Sequence, residues 1–213
     1  TWIIIIANVL VFFFELSLSQ TGLTRLIYTF GLTANRIDLT NPFTWFPFIS
    51  HMFLHGGWFH IISNLWTLFI FGDNVEDRMG SFRFLIFYLL GGISAGLLQY
   101  FLGAADVPSI GASGAIAAVL GAYFVLFPRA KVTTLIPVFI LPWFVDIPAL
   151  LYIGFWFISQ LFSGLLSLTG SVGNSGIAWW THVGGFLFGL VMVFLFTAGK
   201  RFQRWHRDEY YPW

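Results

Sequence analysis

The sequence predicts an all-helical membrane protein, a bundle of six transmembrane helices with a partly membrane-embedded first loop, and three observations lead there. Of 213 residues, 58% are apolar and 9% charged, against roughly 25% charged in soluble proteins. Apolar runs near the ~20 residues needed to cross hydrocarbon recur along the chain, and the basic residues between them fall mostly on alternate sides. The same figures exclude other classes. Ten Lys and Arg against nine Asp and Glu leave a net charge of +1, too little for a broad surface that neutralises nucleic acid. There is no Cys, so disulfides, thiolate metal sites and thiol nucleophiles are absent and covalent chemistry must use oxygen or nitrogen.

The first span is expected at 2–18. Its apolar run begins at once, without the basic flank of a signal peptide, so chain is expected to precede it. Residues 19–57 carry Asn41-Pro42, Pro47 and the aromatic group Trp45, Phe46, Phe48 and Phe53, a composition suited to lying in the headgroup region. Span two, 58–71, has 14 residues and would rise only ~21 Å as a helix, which calls for a thinned bilayer or covered ends. Spans three and four are expected at 82–102 and 110–127. Residues 132–145 contain Pro137 and Pro142 and are too short to cross, which favours an interfacial or re-entrant connection. Spans five and six follow at 147–168 and 176–198, and 199–213 form a basic tail. No internal repeat or long polar linker divides the chain, so 1–198 are expected to form one domain.

Lys and Arg accumulate in cytoplasmic loops. Arg78, Arg83, Arg129, Lys131, Lys200, Arg201, Arg204 and Arg207 share one side of the six-span arrangement, with Arg25 and Arg36 opposite. Both termini are therefore expected inside. Small residues four apart, Gly92 and Gly96, then Ser113, Ala117 and Gly121, then Gly185 and Gly189, let helix backbones approach, so spans four and six are expected to pack closely.

Polar side chains inside spans are costly and carry a functional hypothesis by default. Ser113 and His182 are expected ~7 and ~9 Å inside the outer ends of spans four and six, at the depth of His60 and Asn64, which share a face of span two. Taken singly, such a Ser is a packing residue, such a His a structural hydrogen-bonding group and such an Asn interhelical glue. Gathered in one layer, they point to acyl transfer. His182 can take the proton of the Ser113 hydroxyl, and Asn64, His60 and the Ser113 backbone N–H can receive the oxyanion. No acidic residue is placed to orient His182, since Asp146 falls on the inner side and Asp106 in a short loop. A Ser–His dyad is expected, its imidazole fixed by packing.

These residues resemble the rhomboid family of intramembrane serine proteases. Gly111-Ala112-Ser113-Gly114 is similar to the family's GxSG motif, which implies that Ser113 is the nucleophile. His51, His55, His60 and Asn64 match the histidine-rich run into span two, implying that His60 and Asn64 help to hold the oxyanion. His182 with Gly185 and Gly189 matches the last span, implying a general base at His182, and Gly72, Glu76 and Gly80 fit GxxxExxxG. The chain departs from the family pattern at Phe46 after Trp45, Thr181 before His182, and Ala117 where some members place an aromatic ring. The resemblance implies an endopeptidase that cuts transmembrane segments of other proteins near their outer ends, with no metal or other cofactor. Its partners would be membrane-protein substrates and the lipid bilayer. A bacterial cytoplasmic membrane is the expected location, from the minimal six-span layout.

Rival readings make different demands. A bis-histidine haem protein would use His60 and His182 as axial ligands and be coloured. A client-binding relative would normally have lost the Ser or the His, and a transporter would need an acid–base relay inside the spans. His51 and His55, four apart, form a weak metal pair without an HExxH or a neighbouring carboxylate.

Overall fold

The computed structural model describes residues 1–138, 141–169 and 178–199. The expected start of span six at Gly176 and the basic tail with Lys200, Arg201, Arg204 and Arg207 lie outside the described residues. Among the described residues eight α-helices follow in order: α1 (Trp2–Leu16), α2 (Gln20–Phe30), α3 (Pro47–Ser50), α4 (Trp58–Met79), α5 (Ser81–Leu102), α6 (Ser113–Leu126), α7 (Ala149–Leu168) and α8 (Trp179–Thr197). Strands β1 (Lys131–Val138) and β2 (Leu141–Pro148) stand between α6 and α7. By length and apolar composition α5, α7 and α8 can each cross a membrane, while α1 and α6 are shorter apolar helices.

Helix α6 is the axis of the molecule. Every residue from Gly114 to Tyr123 is buried, as expected of a helix apolar all round. Its broadest contact is with α8, followed by α5 and α4. Glycine makes the first of these possible: a Cβ on Gly185 would strike the Gly114 carbonyl and one on Gly189 the Ala118 carbonyl, so the two backbones touch directly.

Three elements differ from the sequence-based expectation. Span two is the first part of a 22-residue helix, α4, long enough to cross; Asp73, Glu76, Asp77 and Arg78 in its last two turns break the apolar run but not the helix. Gly80 at φ 81° ends α4 and turns the chain into α5. Where the sequence predicts an interfacial or re-entrant connection, β1 and β2 pair as antiparallel strands, so the described chain is not purely helical. Thr133 pairs with Asp146 and Leu135 with Phe144, and the Thr133 hydroxyl lies 2.9 Å from an Asp146 carboxylate oxygen. Val132, Thr133, Thr134 and Ile136 favour extended backbone, while Pro137 and Pro142 exclude a helix. The first loop contains helix α2, whose N-terminus is capped by the Ser19 hydroxyl accepting from Gly22 N–H at 3.2 Å.

Candidate active site

Helices α4, α6 and α8 present their N-terminal turns to one cavity of about 430 Å³, which α7 closes on a further side. Ser113 is the first residue of α6, His182 the fourth of α8, His60 the third of α4 and Asn64 the seventh. All four line the cavity. Ser113 reaches it at the end of a short helix, not part-way down a longer one. The turn into α6 is made by Gly111 at φ +122°, backbone that other residues rarely adopt, and its N–H donates to the His51 carbonyl at 2.9 Å.

Ser113 Oγ lies 2.9 Å from His182 Nε2, and His182 Nδ1 lies 2.7 Å from Gln160 Oε1 on α7. The Trp156 ring stands 5.6 Å from the imidazole and Trp179 6.5 Å, centroid to centroid. Both ring nitrogens of His182 therefore have a side-chain partner. The imidazole is thus held by a side-chain amide as well as by packing. Sequence spacing does not single out Gln160, because one amide in an apolar run carries no periodic signal; its place as a polar residue inside span five is the available clue.

Opposite Ser113, two donors face the cavity. Gly56 N–H points to His60 Nδ1 at 3.3 Å, so the neutral ring carries its hydrogen on Nε2. The Asn64 amide nitrogen is buried with no hydrogen-bond partner among the described residues. A methyl group at Gly111 would sit 2.6 Å from His60 Nε2 and 3.6 Å from Asn64 Nδ2, so both donors flank the segment that delivers Ser113. The Ser113 N–H belongs to the first turn of α6, where backbone donors have no intrahelical partner and the helix dipole favours negative charge.

His51 and His55 lie behind this layer, in the loop before α4. His51 Nδ1 donates to the Pro47 carbonyl at 2.8 Å, and burial pushes the ring down to about 4. Burial, then the neighbouring His60, pushes His55 down to about 4 as well. His55 packs edge-on against His60, 5.1 Å between centroids. Its backbone N–H donates to the Glu15 carboxylate at 3.1 Å, so a buried acid of α1, also passed over in the sequence, anchors the loop that carries the donors. Among the described residues no three His, Asp or Glu side chains converge as a metal site would need.

A family model described as the rhomboid domain matches residues 42–199, well over half of the chain. The chain belongs to the rhomboid family. This rhomboid is 39% identical over 72 residues to rhomboid-like protein 11, chloroplastic, of Arabidopsis thaliana, covering 34% of the chain and 26% of the relative. It is 33% identical over 123 residues to rhomboid protease GluP of Bacillus subtilis, covering 57% of the chain and 23% of the relative. Over 96 residues it is 33% identical to presenilin-associated rhomboid-like protein A, mitochondrial, of Danio rerio, covering 43% and 25%. The matched stretches span about a quarter of each relative's length. The rhomboid is a membrane protein, and relatives from a bacterium, a chloroplast and a mitochondrion mean that family membership does not select the compartment.

Proposed function

We propose that this rhomboid is an intramembrane serine endopeptidase that cuts the transmembrane segments of other proteins near their outer ends. The observation that carries the reading is Ser113 Oγ at 2.9 Å from His182 Nε2, inside a cavity into which His60 and Asn64 also face. Ser113 Oγ attacks the scissile carbonyl carbon while its proton passes to His182 Nε2. The carbonyl oxygen, now an oxyanion, is received by the Asn64 amide, His60 Nε2–H and Ser113 N–H. The C–N bond breaks, His182 returns the proton to the leaving amine, and the acyl group stays on Ser113. Water then attacks the ester, gives a proton to His182 and displaces Ser113 Oγ, which takes that proton back.

The proposed arrangement in the bilayer has six spans, α1, α4, α5, α6, α7 and α8, with both termini on the basic, cytoplasmic side and the cavity toward the outer side. The exposed Phe43, Trp45 and Phe46 of the first loop suit the headgroup region. A helical substrate hides its carbonyls in its own hydrogen bonds, so good substrates carry Gly, Pro or other helix-weakening residues near the cut. The test is cleavage of a single-span substrate by purified protein in liposomes, beside Ser113→Ala and His182→Ala. Loss of cutting in both folded variants supports the reading, and cutting that survives Ser113→Ala sinks it. Equal cleavage of poly-Leu and Gly-containing spans would reject the helix-weakening requirement.

A further inference from the structure

A polar string leads from His182 back to a helix backbone, and its hydrogens can be assigned one after another. Ser159 Oγ lies 2.6 Å from the Trp156 carbonyl, one turn earlier in α7. A carbonyl can only accept, so the Ser159 hydroxyl hydrogen is committed there. Gln160 Nε2 lies 3.0 Å from Ser159 Oγ, and a hydroxyl whose hydrogen is already used accepts from the amide NH2. That orientation turns Gln160 Oε1 toward His182 Nδ1 at 2.7 Å. An oxygen acceptor in that place requires the imidazole hydrogen on Nδ1 and leaves the Nε2 lone pair facing Ser113 Oγ at 2.9 Å.

We propose that Gln160, oriented by Ser159, is a positioning residue that holds His182 in its Nδ1–H tautomer, the form able to take a proton from Ser113. This rests on the serine-protease reading. The opposite amide orientation would put NH2 against Nδ1, require a lone pair there and move the imidazole hydrogen to Nε2, where it would point at Ser113 and leave no base. Rings cannot make this choice: Trp156 and Trp179 restrict the imidazole plane but offer its Nδ1 no acceptor oxygen. Gln160 is 8% exposed, so water is poorly placed to replace it. A neutral amide achieves the orientation without burying another charge among apolar helices.

The experiment uses the full chain in liposomes with two readouts. One is the rate at which a fluorophosphonate probe labels Ser113, beside kcat and KM on a Gly-containing single-span substrate. The other is the ¹⁵N shifts of the His182 ring, which report the tautomer directly. Gln160→Met keeps the length and removes the acceptor. It is expected to slow labelling and lower kcat by about 10- to 100-fold, with KM changed less than about twofold, and to lose the pure Nδ1–H signature. Gln160→Glu restores an oxygen at the same reach and should recover most of the labelling rate. Ser159→Ala frees the amide to turn and should cost a smaller, roughly three- to tenfold factor.

Wild-type labelling and an unchanged tautomer in Gln160→Met would overturn the proposal. If that variant fails to fold, Ser159→Ala carries the same test, and wild-type labelling there would overturn it. A wild-type chain that neither cuts nor labels at Ser113 would defeat the protease reading instead, while the ring shifts would still support or overturn the tautomer assignment.

Discussion

At the residue scale, the oxyanion side of the cavity makes the sharpest demands. Asn64 brings a buried amide nitrogen with no partner among the described residues, a costly condition that an oxyanion would relieve during the reaction. Asn64→Ala is therefore expected to lower kcat by about 10²- to 10³-fold with little change in KM, the usual consequence of losing such a donor; steady-state cleavage of a single-span substrate measures both. Gly111 supplies the second demand. At φ +122°, and with His60 Nε2 only 2.6 Å from where a Cβ would stand, Gly111→Ala must both strain the turn into α6 and displace a donor. It should lose at least about tenfold in probe labelling of Ser113, while Gly56→Ala, whose Cβ would stay 3.8 Å from the His60 ring, should lose far less. Ser113, His182, His60 and Asn64 could be picked out from sequence because three helices begin on one side and their motifs recur in order. Gln160, Trp156 and Glu15 could not, because which side chain meets the His182 ring or a loop N–H depends on how α7 and α1 are rotated against their neighbours.

At the element scale, packing of α6 against α8 sets the distance between Ser113 and His182. The Gly185 and Gly189 faces touch main-chain carbonyls of α6, and backbone cannot rotate away as a side chain can. Gly189→Val is accordingly expected to push α8 off α6, destabilise the fold by about 1–3 kcal/mol and lower activity with it. Gly154→Ala on α7 would meet Phe124 at an ordinary 3.7 Å and should be neutral or slightly stabilising. Thermal unfolding in detergent separates the two. The small-residue spacing predicted this close approach. The sequence predicts an interfacial or re-entrant connection where β1 and β2 stand, since two prolines and a β-branched run exclude a helix but do not reveal that the two halves pair. The length of α4 was underestimated for a related reason: a charged end reads as the limit of a span, whereas hydrogen bonding carries the helix on through it.

At the scale of the whole molecule, the proposed topology has a clean test because the chain contains no Cys. Single cysteines at Asp106, exposed between α5 and α6, and at Leu141, exposed on β2, should react with impermeant maleimide from opposite sides of intact proteoliposomes. Labelling of both from one side would reject six spans. Acid sensitivity of the fold follows from the buried loop histidines. His51 and His55 are held at about 4 against an ordinary 6.5, so between those values the unfolded chain binds protons that the folded chain refuses. Their contribution is complete above about pH 6.5 and is lost as pH falls toward 4. The thermal midpoint in detergent should drop across that window, and His51→Gln should flatten the drop.

Composition and spacing by themselves determined that this chain is a helical membrane protein, that α6 and α8 approach closely, and which four side chains come together around one cavity, because hydrocarbon thickness and helical periodicity act on sequence directly. Tertiary structure decided the rest: the cavity that three helix N-termini enclose, the amide that meets the imidazole, the acid that grips the loop before α4, and the pairing of β1 with β2. Each depends on the rotation and register of elements far apart in the chain, quantities set by the packing of whole faces and not by any local run of residues.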